Sequence, residues 1–144
     1  MINPHPPLTG FPIVIASLLL VLEAIGFLGV VKNHFVVRNF LLIALLITTP
    51  LTFFSGYFGA EVARTISNTN QDIIGYHQAY GRATLLALVP LLLFGAADFV
   101  TSYNKSSVRV GFITFMCLFW LITGYTSYLG GELVFRYGAA VQNQ

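Results

Sequence analysis

Charged residues are scarce in this sequence. Asp, Glu, Lys and Arg make up 8% of its 144 residues, whereas 56% are hydrophobic. Soluble domains carry about 25% charged residues. Because so few charges cannot cover a water-facing surface, most of the chain must face lipid. The formal net charge is +2 and no basic cluster occurs, which excludes nucleic-acid binding.

Cysteine is nearly absent as well. Cys117 is the single cysteine and lies inside an apolar run, which excludes a disulfide framework and a thiolate metal site. The N-terminus lacks the basic region of a signal peptide, so we expect the first apolar run to remain as a membrane helix. No Ser/His/Asp grouping or paired-carboxylate site with a plausible base is found. The protein is therefore expected to be at most a non-catalytic or electron-transfer subunit of a larger complex.

Four long apolar runs dominate what is present. Each has roughly 20 or more residues, enough for a helix to cross a hydrocarbon core of about 30 Å. The sequence therefore predicts an all-α integral membrane four-helix bundle, formed by residues 1–144 as a single domain. The predicted spans are residues 11–31, 39–62, 73–100 and 108–133.

The basic residues of the short connections predict the orientation. The first connection holds Lys32 and Arg38, and the third holds Lys105 and Arg109. Because basic loops favour the cytoplasmic side, we expect both termini on the outer, periplasmic side of a bacterial inner membrane. With four spans, the N-terminus, the end of span two, the start of span three and the end of span four share one face.

That shared face carries two carboxylates, each close to an arginine. Glu61 precedes Arg64 by three residues and Glu132 precedes Arg136 by four, spacings at which side chains meet on a helix. Two interpretations remain open. The pairs can be interfacial ion pairs that end the helices, or they can line a polar pocket as an outer-face polar cluster with histidines.

His77, at the start of the third span, is the candidate centre of such a pocket. A histidine within a span is costly unless it is paired or ligated, and neutral imidazole is a common haem ligand. We therefore consider His77 a ligand of haem b, with His5 as the second metal ligand and Arg82, Arg64 or Arg136 neutralising the propionates. The alternative is a histidine that is hydrogen-bonded to a tyrosine or a backbone carbonyl.

Glu23 falls near the middle of the first span. An intramembrane carboxylate suggests a functional site. At matching depth we find no basic partner, only Thr48 and Thr49 of span two. Glu23 could relay a proton or hydrogen-bond a quinone headgroup, or it could be a neutral acid that holds helices together. Asp98, near the end of span three, is expected to reach the membrane interface.

Two motifs, together with the histidine that opens the third span, carry a resemblance to a known family. The opening NPHPPL at residues 3–8, followed by FPI at 11–13, and GGELVFRYG at 130–138 resemble the predicted membrane proteins of domain of unknown function 2231. The resemblance covers nearly the whole chain and implies a four-helix plan. Some relatives are joined to cytochrome c or iron–sulfur modules, which implies a role beside an electron-transfer chain. The family usually has a histidine where this chain has Gly10; if that histidine binds a cofactor in relatives, the resemblance implies fewer bound cofactors here, or none.

The resulting hypothesis is a membrane subunit of a redox assembly that carries haem b near the outer face. Its expected partners are the lipid bilayer, other membrane subunits and an outer-face cytochrome or iron–sulfur protein, with a quinone as a possible second cofactor. The alternative is a structural anchor or assembly subunit that binds no cofactor. A proton or solute path through Glu23 is disfavoured, since a single buried acid makes a thin pathway.

Overall fold

The computed structural model describes residues 8–28, 34–64, 70–101 and 106–138, without the side chains of residues 62 and 63. Four helices account for nearly all of this: α1 (Gly10–Phe27), α2 (Phe35–Arg64), α3 (Gln71–Val100) and α4 (Ser106–Phe135). No strand occurs in the described residues. All four helices are long and apolar enough to cross a membrane, so the all-α membrane fold is confirmed.

The helix limits differ from the predicted spans at informative places. Helix α1 ends at Phe27 rather than at residue 31, and α2 already begins at Phe35 rather than at residue 39. The second difference has a physical cause. Arg38 was assigned to the connection because it is charged, but its side chain is fully buried in the first turn of α2. Lys32 and Lys105 lie outside the described residues, so the orientation in the membrane remains a prediction.

The helices form a closed ring in which each one packs against two neighbours. Helix α1 contacts α2 and α4, and α3 contacts α2 and, most extensively, α4. Large apolar side chains fill the interior, while many others point outward, as expected where lipid is the solvent. The largest buried apolar residues of the main core are Leu19, Leu45, Leu91, Phe112, Met116 and Phe119.

One end of this ring, which we call the pocket end, contains the start of α1, the end of α2, the start of α3 and the end of α4. Asn70 fixes the start of α3 there, because its side-chain oxygen accepts hydrogen bonds from the backbone N–H groups of Asp72 (2.9 Å) and Ile73 (3.3 Å). Such caps satisfy donors that the first turn leaves unpaired. We call the opposite end the charged end, because Glu23, Arg38, Asp98 and Arg109 meet there.

Candidate functional site

A cavity opens at the pocket end between all four helices. Counting its open mouth, it encloses about 670 Å³ of empty space, so it is an open-sided site rather than a sealed void. Its walls combine hydroxyl-bearing side chains with an imidazole, a guanidinium and two aromatic rings. The polar residues of the wall include Thr49, Thr52, His77, Arg82, Thr84 and Thr126.

His77 lies on the wall of this cavity with its ring orientation fixed. Its Nδ1 is 3.0 Å from the backbone carbonyl oxygen of Thr126. Since a carbonyl only accepts hydrogen bonds, Nδ1 must carry the hydrogen, and in the neutral ring Nε2 then holds the lone pair. Gly130 provides the space for the ring, because a Cβ at this position would lie 3.1 Å from His77 Cε1.

The hydroxyl groups around the cavity differ in their hydrogen bonding. Thr84 donates to the carbonyl of Tyr80 (3.0 Å) and lies 3.1 Å from the Thr126 hydroxyl. The Thr52 hydroxyl shares its hydrogen between the carbonyl oxygens of Thr48 (2.8 Å) and Leu8 (3.1 Å), so Leu8 lies beside the cavity. Thr49 is 3% exposed, and its hydroxyl has no hydrogen-bond partner among the described residues. It is thus a donor available to a ligand in the cavity.

The other predicted residues at this end differ in whether they reach the cavity. Arg82 lines the cavity. Arg64 donates instead to the side chain of Gln78 at 2.9 Å, and Glu61 makes no ion pair within the described part of the chain. His5 lies outside the described residues.

Glu132 and Arg136 form the i,i+4 ion pair that their spacing predicts, with 3.3 Å between Oε2 and Nη1. The hydrogen bond to Glu132 raises the pKa of Arg136 above its ordinary value. The guanidinium is largely exposed, so this pair is an interfacial contact. Neither residue belongs to the cavity wall.

The charged end holds a second polar group of residues, which we call the charged cluster: Glu23, His34, Arg38, Asp98 and Arg109. Arg38 Nη1 donates to Asp98 Oδ2 at 2.6 Å, and both side chains are fully buried. Glu23 Oε1 lies 3.7 Å from His34 Nε2 and 3.9 Å from Arg38 Nη1, and Glu23 Oε2 lies 3.8 Å from Arg109 Nη2. All four helices therefore meet through charged side chains.

This cluster corrects two sequence-based expectations. Glu23 was expected to lack a basic partner at its depth, but three basic side chains surround it. Asp98 was expected at the interface but is fully buried against Arg38. The error arose because α1 ends four residues early, which places Glu23 close to the end of its helix rather than at its middle.

Thr48 and Thr49 are not brought to Glu23. The Thr48 hydroxyl donates to the carbonyl of Ala44, and Thr49 lines the cavity with His77. Thr49 follows Arg38 by eleven residues, or about 16 Å along α2 at 1.5 Å per residue. Since Arg38 contacts Glu23, the two threonines, at the middle of α2, lie too far from Glu23 to contact it.

A sequence signal for the charged cluster existed. His34 and Arg38 are four residues apart and therefore share one helix face, and spans one and three each hold an acid near the same end. Matching these acids to that basic pair would have predicted the cluster. No group of three or more His, Cys, Asp or Glu side chains that could share a metal ion occurs in the described residues.

Fold and site together define a four-helix integral membrane protein with an imidazole-bearing cavity at one end and buried charges at the other. Residues 2–143 match the sequence profile of the family described as "Predicted membrane protein (DUF2231)". The chain therefore belongs to this family, as its terminal motifs indicated. No curated protein and no solved structure shows a significant match to the chain.

Proposed function

We propose that this protein is a membrane subunit of an electron-transfer assembly and that the cavity at the pocket end binds the redox-active group. The observation that carries the proposal is the fixed orientation of His77 on the cavity wall. Histidines that bind metals almost always donate their other ring N–H to a carbonyl, carboxylate or water, which fixes the tautomer. His77 has this arrangement through Thr126. Haem b, with Nε2 of His77 as a ligand, is the form of the proposal that is tested first.

Two further features support an acidic or carbonyl-bearing group in the cavity. Arg82 at the wall supplies a positive charge for a propionate. The buried Thr49 hydroxyl, without a partner among the described residues, supplies a hydrogen bond to an oxygen atom. A haem propionate and a quinone carbonyl both provide such an oxygen, so a quinone is the second ligand to test.

The second axial ligand in this proposal is His5. The carbonyl of Leu8 is held at the cavity by Thr52, and His5 precedes Leu8 by three residues. Three residues of extended chain span at most about 10 Å, which is the upper limit for the distance between His5 and Leu8. A ligand on this segment would also explain why the chain before α1 is tied to α2.

A specific observation favours the alternative of a structural subunit without a cofactor. The buried Arg38–Asp98 pair and the surrounding charges join all four helices at the end opposite the cavity. A rigid bundle with an apolar exterior would serve as an anchor for other membrane subunits. In this case the His77–Thr126 hydrogen bond satisfies a half-buried histidine and has no further role.

The deciding experiment is a reduced-minus-oxidised absorption spectrum of the protein purified in mild detergent, combined with pyridine haemochrome analysis. The redox proposal with haem predicts haem bands that His77→Ala abolishes and His34→Gln retains. Absence of haem from both the isolated protein and its intact complex would refute the haem form. Loss of haem in neither variant would identify a different ligand.

Two neighbouring glycines provide a matched pair of variants for the same spectrum. In Gly130→Ala the new Cβ lies 3.1 Å from the His77 ring, whereas in Gly131→Ala the nearest side-chain atom is Phe135 Cδ2 at 3.9 Å. We expect Gly130→Ala to lower haem occupancy or shift the bands and Gly131→Ala to leave both unchanged. Equal spectra in the two variants would contradict a ligand role for His77.

A further inference from the structure

The charged cluster divides into two pairs with different bonding. Arg38 and Asp98 form a short, direct hydrogen bond of 2.6 Å between two fully buried side chains. Glu23 and His34 are nearly as buried, at 4% and 5% exposure, yet Glu23 Oε1 and His34 Nε2 stay 3.7 Å apart. This separation exceeds a hydrogen bond. The first pair shares a direct hydrogen bond, and the second does not.

The atoms of the second pair remain unsatisfied. Both carboxylate oxygens of Glu23 and both ring nitrogens of His34 are buried without a hydrogen-bond partner among the described residues. Charge-assisted hydrogen bonds to a carboxylate are normally 2.7–2.9 Å long, whereas every ion contact of Glu23 lies between 3.7 and 3.9 Å. Buried polar atoms that lack partners need an explanation, and the recognised explanations include a redox or catalytic role and an ion held at the site.

We propose that Glu23 and His34 form a buried proton-binding site at the charged end of the bundle. One proton occupies either the imidazole or the carboxyl group. When it binds, the two side chains move together and form a hydrogen bond, which their present separation of 3.7 Å does not allow. No other reactant is consumed. The ligand is the proton itself, because the nearby guanidinium groups disfavour a metal cation and the two carboxylates disfavour an anion.

The charges of the side chains around the site nearly cancel, so the site can gain or lose one proton. Helix α2 contributes Arg38, α3 contributes Asp98 and α4 contributes Arg109. Arg38 is neutralised by its direct bond to Asp98. Arg109 then faces Glu23 at 3.8 Å, and its side chain is 29% exposed. It is the most exposed member of the cluster, so proton exchange is expected past Arg109, at the end of the bundle away from the cavity.

The backbone of α1 places His34 against Glu23. A Cβ at Gly26 would overlap the imidazole ring of His34, so only glycine allows the ring to lie over this turn. Gly26 follows Glu23 by three residues and therefore lies on the same helix face. The same turn of α1 thus supplies both the carboxyl group and the space for the imidazole.

The test is a pH titration by NMR of the full-length protein in lipid nanodiscs, with histidine rings labelled with 15N and glutamate carboxyl groups labelled with 13C. Two groups that share one proton titrate as a coupled pair. We therefore expect the His34 ring and the Glu23 carboxyl to report a common midpoint. Glu23→Gln should reduce the proton affinity of His34 by about tenfold, the size at which coupling is resolved. Glu132→Gln, at the pocket end, is the matched control and should leave His34 unchanged.

Arg109→Gln provides a second variant at a partly exposed position, should Glu23→Gln fail to fold. Removing this positive charge should increase proton binding by the Glu23–His34 pair by at least about fivefold, the effect of a unit charge about 4 Å away at the dielectric constant of water, while Arg136→Gln should have no effect. Independent titration of His34 and Glu23 in the wild-type protein, or an unchanged His34 titration in both cluster variants, would overturn the proposal. The cluster would then be a fixed set of structural charges.

Discussion

The buried Arg38–Asp98 pair allows a quantitative test of how the helices are held together. Asp98→Asn keeps the shape of the side chain and removes its charge. Arg38 would then remain fully enclosed with its closest anionic partner lost, since Asp98 Oδ2 is 2.6 Å away and Glu23 Oε1 is 3.9 Å away. The guanidinium would also keep the Phe112 ring, whose centroid lies 4.9 Å from Cζ.

Removal of one partner from a buried ion pair costs roughly 3–5 kcal/mol, because the other charge is left uncompensated. The contacts to Glu23 and Phe112 remain, so we expect a loss near the lower limit, about 3 kcal/mol. The control is Glu132→Gln, which breaks a pair whose arginine side chain is 69% exposed. An exposed pair contributes about 0–1 kcal/mol, so this variant should be close to wild type.

The assay is reversible unfolding in mixed micelles of increasing SDS content, followed by circular dichroism. A third variant sharpens it: Arg38→Met combined with Asp98→Leu replaces both charges with apolar groups, which is often neutral or stabilising. The double variant should therefore be more stable than Asp98→Asn. A loss below about 1 kcal/mol in Asp98→Asn, or a double variant no more stable than the single one, would show that this buried ion pair does not hold the helices together at the charged end.

Two further predictions concern packing. In Gly95→Ala the new Cβ would lie 2.9 Å from Leu42 Cδ1 and 3.4 Å from Phe112 Cε2, so the free energy of unfolding should fall by about 1–3 kcal/mol. The control is Gly75→Ala, whose Cβ has no atom within 4 Å. This variant should be neutral or stabilising in the same SDS titration. Ser17→Ala removes the 2.8 Å hydrogen bond from Trp120 Nε1 to Ser17 Oγ. This change should lower the free energy of unfolding by about 1 kcal/mol and shift the fluorescence emission of the single tryptophan. An unchanged emission spectrum would mean that this bond does not form in lipid.

The membrane fold follows from the sequence because its signal, a continuous apolar run, is local and simple. Runs of twenty or more apolar residues admit few other structures, and a span must satisfy its backbone hydrogen bonds internally. The limits of the helices are less predictable, because a charged residue such as Arg38 predicts a loop when its buried partner is not known. Only the packing of α3 against α2 brings Asp98 to it and makes burial favourable.

The sites show the same contrast between local and long-range information. His77 could be singled out because a histidine within an apolar run is costly. Its bond to Thr126, forty-nine residues later, depends on the packing of α3 against α4 and has no local signal. Glu23 was also identified, but its partners were sought at the wrong depth. A shift of a few residues in the end of α1 changes which side chains it can reach, since each residue advances a helix by about 1.5 Å.

The separation of the two sites bears on how they could act together. Thr49 at the cavity and Arg38 in the charged cluster lie about 16 Å apart along one helix, taking 1.5 Å per residue, and the apolar core, including Leu42 and Leu45, lies between them. Within the described residues, no chain of polar side chains crosses this core, so a proton bound at Glu23 and His34 exchanges at its own end of the bundle. A redox change in the cavity could influence it only through the field of the added charge or through the helices. A substitution that disrupts one site should therefore leave the other intact. Retention of the coupled His34–Glu23 titration in His77→Ala is the result that this separation requires.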